Sequence, residues 1–340
     1  IENCTARVTF TLTSNSHNNS AGGIVGTMGG NSTVRGCTAS GAITLTAPLT
    51  GEGDSSTFMV YAGGIAGYSG TPGLPGSNES GCLIEGSNWT SGTVSVESAY
   101  PYAGGVVGYN YSGAAVRRCW SSGTVRATGG NLPYAGGVAG YNSRIDGGVK
   151  GTPSTIADCY STAAVTAVSS SRAALAGGVA GANAAGALIA RCYATGAVTA
   201  RVNGAGTDNL GGSVGVMVAA NAGGIAGAQY VTGERNTRPT IERCAALNSS
   251  ITGEDSSTGA VWNIYRIAGA GTPGNDTGVF TNNTARTGMN IPHHASSVAS
   301  DANGKDGADC EQKPVQAAYT ALGWDFGGVW RMSNGYPVLR

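Results

Sequence analysis

Apolar and polar residues alternate in runs of four to six along most of the chain, as in VRGCTASGAIT (34–44) and IARCYATGAVT (189–199). Residues two apart share one face of a strand, so this period predicts strands and not helices. Outside the extreme C-terminus no stretch has convincing helical spacing. The runs themselves recur. The box A-G-G-[IV]-[VA]-G begins at Ala21, Ala62, Ala103, Ala135, Ala176 and Ala222, at intervals of 41, 41, 32, 41 and 46 residues, and a worn seventh copy reads IYRIAGA from Ile264. Each box is followed by apolar-x-x-Cys-x-x-x-Gly-x-[VI]-[TSR]. Clear copies lie at 34–44, 116–126, 156–166, 189–199 and 241–252.

Three short strands per repeat, joined by turns, close one rung even in the 32-residue copy. A single rung cannot bury its own apolar face and must stack on its neighbours. The expectation is an all-β parallel β-solenoid of about six to seven rungs. A β-propeller is the alternative; its blades need four longer strands, which the 32-residue copy can hardly supply. Spacing varies where turn-formers such as SGTPGLPGSNESG occur, so insertions there are loops on a fixed frame. The repeat region spans 1–290, a loop-rich connection 291–316, and an aromatic segment 317–340 with Trp324, Phe326, Trp330 and Tyr336. An open solenoid end exposes core and strand edge, so this segment is expected to cap it, with Asn334-Gly335 as the turn of a hairpin.

Composition narrows the function classes. There are 58 glycines in 340 residues and only 11% charged residues, an unusual balance for an average enzyme. A 41% hydrophobic content with zero net charge argues against disorder, and 11 prolines without a Gly at every third position exclude collagen. Nineteen basic and nineteen acidic residues leave no broad electrostatic footprint for nucleic acid. The longest apolar run, AALAGGVAGANAAGALIA (173–190), is too weakly hydrophobic for a membrane helix. No membrane insertion is expected. The opening IENCTARVTF has no charged-then-apolar leader, which suggests a segment cut or trimmed from something longer.

Six of the eight cysteines, Cys4, Cys37, Cys119, Cys159, Cys192 and Cys244, share one repeat position. That phase predicts an inward column of free thiols, since free Cys behaves as a small buried hydrophobe. In-register parallel strands offer poor disulfide geometry, and no C-x-x-C pair or neighbouring His suggests a metal. Cys82 and Cys310 lie off this column in loop-like sequence.

The GG[IV][VA]GY box, the C-Y-x-x-G-x-V-T segment and the closing WDFGGVWRMSNGYPVLR together resemble the GLUG-motif repeat proteins of bacterial surfaces. The resemblance covers Ile1 to about Ile291 and about Ala317 to Arg340. It implies an extracellular or cell-surface, adhesin-like setting without a shared chemistry. Departures are Asn88 at the Cys position of one repeat, and Ala163 and Asn248 at the Gly position.

If the column Cys points inward, its neighbours point outward. Trp89, Trp120, Tyr160 and Tyr193 follow it on four successive rungs; Arg118, Asp158, Arg191 and Arg243 precede it. A ligand-binding stripe is therefore expected at Trp89, Trp120, Tyr160 and Tyr193 with Arg118 and Arg191, suited to a glycan or a host matrix protein. The competing expectation is a purely structural aromatic ladder. A second set, Tyr61 and Tyr68, Tyr102 and Tyr109, Tyr134 and Tyr141, brackets three boxes. Paired carboxylates on the frame are scarce, so a noncatalytic adhesion or spacer module is expected, with no cofactor and no metal. The alternative is a carbohydrate-active β-helix enzyme using the loop acids Glu52, Asp54, Glu254 and Asp255. His293-His294 reads as loop, and Asp301–Asp309 has the oxygen density of a calcium loop but places Lys305 at a ligand slot.

Overall fold

The computed structural model describes residues 1–16, 18–49, 59–70, 81–144, 152–203, 219–231, 237–256, 262–269, 278–294 and 297–340. Strands from successive repeats pair in parallel and in register. In one rung the chain runs through Ala115–Arg117, Trp120–Ser121, Thr124–Gly129, Tyr134–Gly136 and Ala139–Ser143. Val116 lies between Ile84 and Ile156, Val125 between Val94 and Val165, and Ala135 between Ala103 and Ala176. Box strands form sheets of seven and six strands, the apolar-x-x segments a sheet of seven, and the Cys and Gly-x-Val segments one of thirteen. This is the expected parallel β-solenoid.

The inward column is Cys4, Cys37, Ser87, Cys119, Cys159, Cys192, Cys244 and Asn283. The Cys119 N–H donates to Cys159 Sγ (3.4 Å), the Cys37 N–H to Ser87 Oγ (3.1 Å) and the Cys244 N–H to Asn283 Oδ1 (3.0 Å). All eight cysteines are free, and of this column only Cys4 is exposed. Cys82, placed by its sequence in a loop, is buried as well. Inward pointing depends on the residue before the column. Arg118, Asp158, Arg191 and Arg243 have φ of 50–54°, and Gly36 and Gly86 have 62° and 58°. This left-handed corner costs a non-glycine residue roughly 1–2 kcal/mol. It turns the chain so that the thiol enters the core while the preceding side chain leaves it.

A second column is amide. Asn110 Nδ2 donates to Asn142 Oδ1 (2.8 Å), Asn142 to Asn183 (2.9 Å) and Asn183 to Gln229 Oε1 (3.0 Å), all fully buried. The same nitrogens also donate to main-chain carbonyls, Asn110 to Ala114 just after its own strand and Asn142 to Leu188 one rung further on. On the outer side of the boxes the tyrosines gather in their own cluster. Tyr102 stacks on Tyr134 (4.8 Å, 6°) and on Tyr109 (5.5 Å, 7°), and the Tyr230 hydroxyl donates to that of Tyr141 (2.8 Å).

Segment 297–310, mostly turns and bends, closes the last rung with one short strand. Ala308–Cys310 pairs in parallel with Thr284–Arg286. The buried Asp306 accepts the N–H groups of Arg266 and Ala299 (both 3.1 Å) and contacts His294 Nε2 (2.8 Å). These contacts leave its carboxylate fully engaged in structure. The opposite end presents Thr5–Thr13 as an edge strand, with Leu12 41% exposed.

Three outcomes are expected from this core. Burial pushes the Cys159 and Cys244 thiols up, which keeps reactive thiolate scarce. Because Cys37, Cys119, Cys159, Cys192 and Cys244 are sealed from solvent, native protein should label quickly at Cys4 and slowly at those five, with rapid labelling of all after denaturation. Mass spectrometry of the labelled peptides reads this out.

Asn142→Leu leaves Asn110 Nδ2 and Asn183 Oδ1 without their side-chain partner, and should cost about 2 kcal/mol or more in chemical denaturation. An unchanged midpoint would remove the amide column from the list of stabilising features.

Burial also pushes the Tyr102, Tyr109 and Tyr230 phenols well above their ordinary value. An unfolded phenol releases its proton near about pH 10, while these hold theirs, so above that pH the unfolded state binds fewer protons. Stability should begin to fall as pH rises past about 8.5, where unfolded thiols release the protons that Cys159 and Cys244 retain, and fall more steeply past about 10 as the phenols add to the effect. Phenolate absorbance should appear together with loss of the circular dichroism signal.

Candidate functional site

The outward column beside the thiols reads Thr5, Thr38, Asn88, Trp120, Tyr160, Tyr193, Ala245 and Thr284 along the rungs. Trp120 stacks on Tyr160 (5.7 Å, 5°) and Tyr160 on Tyr193 (5.0 Å, 7°). Three aromatic rings thus form a continuous pile, as repetition of the motif suggested. Trp89 is not part of it. It pairs with Ser121, is fully buried and packs on Gly64, where a Cβ would lie 2.6 Å from the indole. The cause is one extra residue. Between Trp89 and Gly92 the chain carries a bulge relative to the neighbouring rungs, so Ser87, and not Asn88, takes the thiol position. Counting back from Gly92 as if the rung were regular puts Trp89 on the wrong face.

The flanking charges pair across rungs. Arg191 grips Asp158 through Nε to Oδ1 (2.7 Å) and Nη2 to Oδ2 (2.9 Å), and that contact raises the Arg191 pKa above its usual value. Arg35 bonds both Glu2 and Glu85 (3.1 Å each), and Arg118 reaches Glu85 at 3.8 Å. Arg118 remains 54% exposed, whereas Arg191 is committed to its carboxylate. Tyr193 and Tyr160 are buried as well, by the chain's own C-terminus.

Residues 317–340 lie along the flank of the solenoid, over the aromatic pile, and not across its open end. A short helix, Gln316–Ala321, leads into a hairpin of Trp330–Ser333 and Tyr336–Leu339. Asn334 (φ 51°) and Gly335 (φ 84°) make its turn, as their sequence predicted. Tyr319, Trp324, Val329 and Trp330 bury themselves against Tyr160, Tyr193, Ala245 and Leu247. Trp324 Nε1 donates to the Arg243 carbonyl (2.8 Å) and the Tyr193 hydroxyl to that of Pro337 (2.6 Å). Burial pushes the Tyr160 phenol up to about 12. What remains open of the predicted stripe is its first ring, the half-buried Trp120, with Arg118 beside it.

The acids of the alternative reading do not converge among the described residues. Glu254 is held by Arg201 (2.6 Å), while Glu52, Asp54 and the Asp255 side chain lie outside the described residues. No group of three metal-ligating side chains occurs among the described residues, and no described helix is long and apolar enough to cross a membrane.

No family model matches the chain, and no curated protein does. A solved structure from Bacteroides ovatus, that of a candidate immunoglobulin A1 protease, superposes with a TM-score of 0.52 at 19% identity, covering 90% of this chain and 86% of that one. The likeness establishes a shared fold. It also corrects the expectation of a noncatalytic module, because this architecture is carried by a protein named as a protease. Serine and cysteine peptidases do not depend on a pair of aligned carboxylates, as glycosidases do.

Proposed function

We propose that this chain is an extracellular bacterial β-solenoid that serves a proteolytic protein by gripping its substrate, a protein or glycan, on the face around Trp120. The observation that carries the reading is the open end of the aromatic pile: a half-buried indole beside a 54% exposed Arg118, held on a sheet that cannot bend away. Exposed aromatic and Arg side chains on a rigid frame are the residue types that dominate binding energies. The GLUG-like repeat supports a cell-surface setting, and the Bacteroides ovatus neighbour supports a link to proteolysis of an immunoglobulin. The in-register rungs support the gripping role, since they hold the two side chains in place before any ligand arrives and so reduce the ordering cost of binding.

The test is an array of glycans, matrix proteins and immunoglobulin A1, with each mixture also run for cleavage fragments. Trp120→Ala combined with Arg118→Ala should weaken the strongest interaction about tenfold or more in protein whose circular dichroism shows the fold intact, with some loss of melting temperature from the broken stack on Tyr160. Undiminished binding by the folded double variant would move recognition to another face.

A further inference from the structure

The aromatic pile ends differently on its two sides. Toward the C-terminus the next rung supplies only Ala245, and Tyr336 of the terminal hairpin takes the vacant place, parallel to Tyr193 (6.5 Å, 7°). The following residue, Pro337, offers its carbonyl to the Tyr193 hydroxyl (2.6 Å). Tyr336–Leu339 is an extended strand. The pile therefore already holds an extended Tyr-Pro-Val-Leu segment, by one ring stack and one hydrogen bond from a ring-borne donor to the main chain.

Toward the N-terminus the preceding rungs supply Asn88 and Thr38, and among the described residues no ring stands against the outer face of Trp120. Asn88 Oδ1 is taken by the Trp120 backbone N–H (3.0 Å). The Trp120 side chain is half-buried and its indole N–H makes no hydrogen bond to the described residues; its column neighbour on the side away from Tyr160 is the shorter Asn88, which cannot cover a whole indole face. This end thus presents the two elements that hold Tyr336-Pro337 at the other: an aromatic face and a ring-borne donor. A pyranose would call for several free polar side chains around the ring. Asn88 is engaged and Glu85 is shared by Arg35 and Arg118, while Arg118, only loosely held at 3.8 Å and 54% exposed, stands beside the indole.

We infer that the outer face of Trp120 is a peptide subsite, taking an extended segment in which an aromatic residue precedes proline. The aromatic ring stacks on the indole, the indole N–H donates to the proline carbonyl, and Arg118 favours an acidic residue alongside. The inference rests on the recognition role proposed above for this face and names the ligand class it would take.

The experiment titrates the full chain with a blocked hexapeptide, Asn-Gly-Tyr-Pro-Val-Leu, by calorimetry. Saturable binding is expected, weakened at least tenfold by Trp120→Ala or by replacing the peptide tyrosine with alanine. Trp120→Phe keeps a ring but lacks the donor, so it should lose several-fold and still fold if the alanine variant does not. Binding that survives both Trp120 variants would overturn the subsite, and so would absence of binding. If glycan capture on the array depends on Trp120 while the peptide does not bind, the peptide assignment fails and the recognition face stands. If no ligand of either kind depends on Trp120, both fall.

Discussion

A parallel main-chain ladder sets successive rungs about 4.8 Å apart, and this fixed spacing decides which side chains can repeat. Neutral groups that tolerate their own kind at that distance stack freely. Thiol sits over thiol, each backbone N–H reaching the next sulfur, and carboxamide over carboxamide, each donating to the next. Flat rings fit best of all, with Tyr102 and Tyr134 at 4.8 Å and Tyr160 and Tyr193 at 5.0 Å. Like charges repel at this distance, and opposite charges pair on neighbouring rungs at Arg35 with Glu85, Asp158 with Arg191 and Arg201 with Glu254, although Arg243 follows Arg191 in its column.

The same constraint explains the glycine content. The second glycine of each box faces the inner column Ala39, Trp89, Ser121, Ser161, Ala194 and Ala246, against which a Cβ would collide. Where that column is small the boxes need no further adjustment. Where it holds Trp89, the absence of a Cβ at Gly64 makes room for an indole inside the core. Close approach, and not backbone flexibility, is the reason for glycine at these positions.

Fold and thiol column were legible in the sequence because both are periodic, and a period is visible without knowing any contact. The amide column is periodic too: Asn110, Asn142, Asn183 and Gln229 each stand seven residues after the start of a box. Attention to apolar positions passed it over. Trp89 was misplaced because a one-residue bulge changes the face of a strand while leaving its composition intact, and nothing local in NWTSGTV marks it. The docking of residues 317–340 on the flank was not legible at all. Its aromatic content pointed to a covering role, but which surface it covers is set by contacts between Tyr193 and Pro337 or Trp324 and Arg243, 144 and 81 residues apart. The exposed remnant of the stripe follows from both effects, one removing Trp89 and the other hiding Tyr160 and Tyr193.

That flank contact has a bearing on how the molecule comes apart. A bare solenoid is a one-dimensional chain of nearest-neighbour interfaces, free to fray from either end one rung at a time. The terminal segment spans the rungs of Tyr160, Tyr193 and Ala245 at once and hydrogen-bonds to two of them. Those three rungs cannot peel off singly without first undocking a cluster of two tryptophans and a tyrosine. Sequence-distant stapling of this kind converts serial unravelling into a single cooperative event, and it does so at the end of the solenoid that lies nearest the chain terminus.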